Sequence, residues 1–230
     1  MRKILLIISL VAVFSLGGNA QTKGVRYGIK VGPTFDWASA GSTAALGNGP
    51  RLGFNAGLVY DHYFTGNIAV SSGVNFSLMR MKYTFTDRRF VDDFLEETNV
   101  MVERRLKATN VGIPLKIKLR LHISDSFSAY VEAGGSLGLN FRDQGKDNYD
   151  FYWVEYKDAA YEDYTNQYRL MQVSMLFGLG TEYEINGRWS AFAQLTFDHG
   201  FSNAFVSSLE LQTGSILRNN YVGIEVGLMH

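Results

Sequence analysis

The sequence predicts an all-β protein, an eight-stranded antiparallel up-and-down transmembrane β-barrel. Three observations carry that expectation. Eight stretches alternate apolar with small or polar residues. The connections between them alternate long and short, and a secretory leader stands in front. Together these are the pattern of a barrel of the bacterial outer membrane, with long loops outside the cell and tight turns on the periplasmic side.

The leader comes first in the chain. Arg2 and Lys3 precede an apolar stretch from Ile4 to Leu16, and Gly18 and Ala20 are the small residues expected at positions −3 and −1 of a cut after Ala20. That stretch is shorter than the roughly 20 apolar residues of a permanent membrane helix. Residues 1–20 are therefore expected to be a signal peptide and residues 21–230 the barrel domain. Removing Arg2 and Lys3 turns 22 Lys+Arg against 22 Asp+Glu into a net charge of −2, which gives no basis for nucleic-acid binding. The chain has no cysteine, which excludes disulfides, thiolate metal sites, cysteine nucleophiles and a lipidated N-terminal cysteine. Stability must come from closure of the sheet, which leaves no unpaired edge.

The strands follow in order. Val25, Tyr27, Ile29, Val31, Phe35 and Trp37 alternate with Arg26, Gly28, Lys30, Gly32 and Thr34. Leu52, Phe54, Ala56, Leu58 and Tyr60 form the apolar set of the second strand. The third begins near Ile68 with Val70, Val74, Phe76 and Leu78, then changes parity to Met81, Tyr83 and Phe85, which predicts a β-bulge near Met79 and Arg80. Val111 to Leu121 and Phe127 to Phe141 make the fourth and fifth. Met171 to Tyr183, Trp189 to Phe197, and Val222 to Leu228 complete the set.

Alternation alone does not say which face points inward, because a soluble ligand-carrying barrel alternates too. The glycines decide it. Gly28, Gly57, Gly112, Gly134, Gly178, Gly180 and Gly227 all share the polar face, and only small residues leave room for charged ones inside eight strands. The apolar face is then the lipid face.

Long connections are expected at 39–50, 86 to about 105, 142–168 and 199 to about 216, outside the cell; both termini are then periplasmic. Two register expectations concern the short turns. A turn centred on Ser124 sets Lys116 opposite Glu132. A three-residue loop with Gly187 in the left-handed conformation keeps parity and sets Glu184 opposite Arg188.

Candidate chemistry divides into two groups. Lys30, Lys116, Lys118, Arg120 and Arg188 face Glu132, Glu182, Glu184, Asp198 and Glu225 in a lumen charge network, expected to be a salt-bridged plug because eight strands leave no aqueous channel. The segment from Asp143 to Tyr168 carries Tyr149, Phe151, Tyr152, Trp153, Tyr156, Tyr161 and Tyr164. That density of tyrosine and tryptophan suits a binding surface, and equally a hairpin packing its own aromatics. Asp92, Asp93, Glu96 and Glu97 read as a solvated charge run. His199 and Ser202 are spaced so that a regular strand points them to opposite sides, which argues against a serine hydrolase. His62, His122 and His230 lack ligand-like spacing, and no metal or cofactor is expected.

Four segments resemble the PorT-like, porin-family outer-membrane β-barrel domain: Tyr27 to Phe35, Val111 to Leu121 around Ile113-Pro114-Leu115, Gly178 to Glu184, and His199 to Asn203. The resemblance implies an outer-membrane barrel without an evident pore, and for PorT itself an association with protein secretion. It supplies no catalytic residues. The chain departs from the common aromatic ending of such barrels, finishing Leu228-Met229-His230. The leading expectation is a non-enzymatic barrel in the cell outer membrane, in contact with its lipid, that presents loops for interaction or a structural role in the envelope. A component of a PorT-like secretion or envelope assembly, partnered by other envelope proteins, is the second reading, and an outer-membrane lipid A hydrolase the third.

Overall fold

The computed structural model describes residues 24–40, 45–91, 96–151, 154–157, 160–204 and 217–230. The expected leader lies outside these residues, as do Asp92, Asp93, Tyr152 and Trp153. Among the described residues eleven strands form one sheet. Eight are long: β1 (Val25–Ala40), β3 (Arg51–Tyr63), β4 (Ile68–Val91), β5 (Glu96–His122), β6 (Phe127–Phe151), β9 (Met171–Asn186), β10 (Trp189–Gly200) and β11 (Leu217–Met229). Three are short: β2 (Ala45–Gly47) pairs with β4, while β7 (Val154–Lys157) and β8 (Glu162–Asp163) pair with β6.

Each long strand is antiparallel to its neighbours, and β1 pairs with β11, with Ile29 across from Leu228 and Phe35 across from Val222, which closes the barrel. The ends meet there as well: Tyr27 and His230 exchange backbone hydrogen bonds of 3.2 and 2.8 Å. Alternation places residues as expected. On β5, Leu115 and Ile117 are 63% and 59% exposed, whereas Lys116 and Lys118 are 6% and 4% exposed. An apolar exterior on this scale is stable only against lipid.

Glycines make the interior possible. A Cβ on Gly178 would stand 2.4 Å from Cγ of Glu132, and one on Gly180 would stand 2.4 Å from Cζ of Tyr130. These two glycines thus leave the space that a large inward side chain on the next strand fills.

The parity change in β4 is not a bulge. Register with β5 runs unbroken through Met79↔Ala108 and Arg80↔Lys107. Met79, Met81, Tyr83 and Phe85 continue inward, and Arg80 and Lys82 continue outward. What reverses is the pattern: above Leu78 the charged side chains stand outside and the lumen is closed by apolar groups. The bulge is on β6, where Phe141 is the extra residue between Thr109↔Arg142 and Asn110↔Asn140. For the same reason β4, β5 and β6 run far into the segments expected to be loops.

Both turn registers also differ from expectation. His122 pairs with Ser128, so Lys118, not Lys116, lies across from Glu132. At the other turn Asn186 pairs with Trp189, and its side-chain oxygen accepts from the backbone N–H groups of Arg188 (3.0 Å) and Trp189 (2.9 Å). Ile185 is bulged out, since Glu184 pairs with Ser190. The bulge repairs the parity that a two-residue turn breaks, so Gly187 does not take a left-handed conformation and Arg188 does not face Glu184.

Candidate functional site

The lumen is filled in layers. At the turn end, Glu182 receives Arg26 and, at 3.4 Å, Arg120, while Arg26 also donates to Ser190. Next, Lys118 donates to Asp61 at 2.7 Å, with its ammonium 4.1 Å from the Tyr130 ring centre. Lys116 donates to Glu132 across one register step. Lys30 donates to both oxygens of Glu225, at 3.1 and 2.9 Å. Glu225 is fully buried and also accepts from Asn55 (2.7 Å), Gln194 and Thr196 (2.9 Å). Such extensive hydrogen bonding is what a buried ion pair needs to repay desolvation.

Of the residues expected in the network, Lys30, Lys116, Lys118, Arg120, Glu132, Glu182 and Glu225 lie together in this plug. Asp198 is higher, accepting from Ser174 at 3.0 Å, and Glu184 and Arg188 are exposed at the turn. Sequence reasoning missed Arg26 and Asp61. Their signal was parity: Arg26 is in phase with Lys30, and Asp61 with Asn55 and Gly57.

Above the plug is a polar cavity of about 40 Å³, walled by Asn75, Ser77, Asn110, Ser136, Asp198 and Asn219. It has room for a few waters and is far smaller than a metabolite site. Beside it, Asp36 accepts the backbone N–H of Arg80 at 2.8 Å, so a carboxylate bonds β1 to β4 just above the point where the intervening β3 begins.

A cap closes the other end. Met79, Met81, Tyr83, Phe85, Leu106 and Tyr168 are all buried there. Arg104 and Asp147 form a two-pronged ion pair at 2.6 and 2.8 Å. The guanidinium also donates to Gln167 (2.8 Å) and lies 5.0 and 4.1 Å from the ring centres of Phe85 and Tyr164. Burial opposes its charge, yet the Asp147 bonds and the neighbouring Tyr83 and Tyr168 hydroxyls hold Arg104 above its ordinary range. Asp143 is different. It is 1% exposed with neither oxygen hydrogen-bonded, and burial, then the nearby Asp163, push it up to about 7.

The aromatic segment serves two ends. β6 and β7 form a hairpin with Tyr149 across from Tyr156 and Phe151 across from Val154. Tyr164 packs over Gly145 and against Arg104, and Tyr168 bonds to the Tyr83 hydroxyl, so both belong to the cap. Tyr161 stays at the surface, its ring 3.6 Å from the Lys107 ammonium.

His199 packs on Phe197 and edge-on to Phe201, both exposed, while Ser202 lines the cavity and its hydroxyl accepts from the Val173 N–H at 3.0 Å. The two are committed to different surroundings. His230 is not isolated: its ring lies 5.2 Å from Tyr27 and edge-on 4.8 Å from Trp189. Among the described residues no group of three or more His, Cys, Asp or Glu could hold a metal ion.

A closed eight-stranded antiparallel barrel, apolar outside and ion-paired within, is the architecture of an outer-membrane β-barrel protein. The chain belongs to the outer membrane protein beta-barrel domain family, whose model matches residues 19–206. Solved structures similar to it include Ail, the attachment invasion locus protein of Yersinia pestis (13% identity, 91% of this chain and 100% of that one, TM-score 0.32). OprG from Pseudomonas aeruginosa (11%, 90% and 95%, TM-score 0.39) and the outer membrane protease OmpT from Escherichia coli (9%, 91% and 97%, TM-score 0.38) are others. No curated protein matches the sequence.

Proposed function

We infer that this protein is a non-conducting, non-enzymatic barrel whose work is done by the surface it displays. The observation that carries this reading is that the lumen is stopped twice, by the Lys30–Glu225 and Lys116–Glu132 layer and by the Arg104–Asp147 cap. Between the two lies the polar cavity of about 40 Å³. The leader is removed after Ala20, both ends of the barrel domain face the periplasm at the short-turn end, and the segment from Asp143 to Tyr168 stands outside the cell as the interaction surface.

The test joins conductance to topology. In a planar bilayer the folded protein gives no current steps, and protease added to intact cells cuts between Asp143 and Tyr168 while the barrel stays protected. Steady conductance, or cleavage only after the outer membrane is breached, overturns the reading. Stable co-purification of other envelope proteins, lost when that segment is shortened, is the result that would assign the chain to a secretion assembly of the PorT-like kind.

A further inference from the structure

The outer face of β4, β5 and β6, immediately above the lipid-facing aliphatics, concentrates positive charge. Among the described side chains Leu78 is the last outward apolar residue of β4, across from Thr109, and Phe76, Val111 and Leu139 form the apolar row one step below it. One step above Leu78, Arg80 lies directly across from Lys107; the next outward pair is Lys82 across from Arg105. On β6, Arg142 is across from Thr109 and Lys146 across from Arg105. Arg80, Arg105 and Arg142 are exposed and the three lysines half-buried.

Like charges set opposite each other on one sheet face destabilise the pair. Here it happens three times running, in a chain with no excess of basic residues. Acids among the described residues meet part of it. Glu103 takes Lys82 and, at 3.6 Å, Arg105; Asp163 lies near Arg142. At the corresponding height on the other side of the rim, β1 and β10 present Trp37, Phe197 and His199. The charge is therefore concentrated on one flank, directly above the outward-facing aliphatics.

We propose that this face is a docking site for a phosphate-bearing lipid of the outer leaflet. Its acyl chains lie along Leu78, Val111 and Leu139, and its phosphates sit between the Arg80–Lys107 and Lys82–Arg105 pairs. Guanidinium forks and ammonium groups both bond phosphate oxygens, and the low-dielectric boundary strengthens the attraction. An anion between facing cations converts their repulsion into two attractions. Barrel insertion in a membrane is the reading on which this rests.

The experiment reconstitutes the mature chain in phosphatidylcholine nanodiscs containing diphosphoryl lipid A, exchanges it into neutral detergent, and measures the lipid A retained per folded protein. Folding is scored separately by heat-dependent gel migration, so failure to insert shows as loss of the folded band and is not confused with failure to bind. Wild type retains diphosphoryl lipid A, and R80Q/K107Q lowers retention about tenfold, as loss of one or two charge-assisted contacts requires. R188Q, the same kind of charge change at the far turn, leaves it unaltered. A comparison needing no variant is retention of lipid A with its phosphates removed, expected at background. Equal retention of both lipids, no effect of R80Q/K107Q on a folded protein, or complete displacement by millimolar inorganic phosphate overturns the proposal; the last would make the site one for free anions.

Discussion

The buried Lys30–Glu225 pair is where one residue decides most. Glu225 has no access to solvent, so Lys30→Met strands a carboxylate whose other partners are neutral amides and a hydroxyl. The expected loss is about 3–5 kcal/mol, read as a lower melting temperature of the heat-modifiable band, and the double variant Lys30→Met/Glu225→Leu recovers most of it. Asp143 tests the cap through pH. Its folded pKa of about 7 lies above the unfolded 3.8, so the folded cap holds a proton over a range where the unfolded chain has released it. The stabilisation is complete below about pH 4 and is lost as pH rises through 7. Limited proteolysis within 143–168 should therefore run faster at pH 8 than at pH 5, and Asp143→Asn should remove the difference.

At the level of elements, the membrane-spanning strands were legible because lipid and lumen impose opposite preferences on alternate residues. Ile113, Leu115 and Ile117 against Lys116 and Lys118 admit one arrangement. The parts beyond Leu78 were not legible by that rule, because there the rule inverts while the backbone does not. Met81, Tyr83 and Phe85 looked like a strand out of phase; they are in phase and cover the lumen. The same inversion concealed Arg104 and Asp147, which are distant in sequence and meet only because β5 and β6 continue past the belt. The turn bulge at Ile185 escaped for a different reason: glycine after asparagine suggested a left-handed residue, and the Asn186 side chain does that work by capping two backbone N–H groups instead. His230 belongs to this scale, since it fastens the closing seam between β1 and β11 while its ring joins Tyr27 and Trp189. His230→Phe is expected to assemble as wild type does, and His230→Ala to yield less folded protein in a timed refolding into lipid vesicles.

For the whole molecule, the double stopper separates stability from transport. Weakening the cap alone, with Arg104→Ala, should speed protease cleavage between Asp143 and Tyr168 beyond the wild-type rate yet open no channel, because the lower ion pairs still fill the lumen. Single-channel recording of that variant checks the claim; steady current would show that the cap is the sole gate. The rim of the barrel is lopsided. Among the described residues β1, β3, β10 and β11 end near the belt, whereas β4 continues from Leu78 to Val91, roughly 40 Å of strand at about 3.3 Å per residue. On a membrane crowded with other barrels, that wall acts as a fender along one flank. The low side, among the described residues, carries Trp37, Phe197 and Phe201, so the described barrel has a front and a back in the plane of the bilayer.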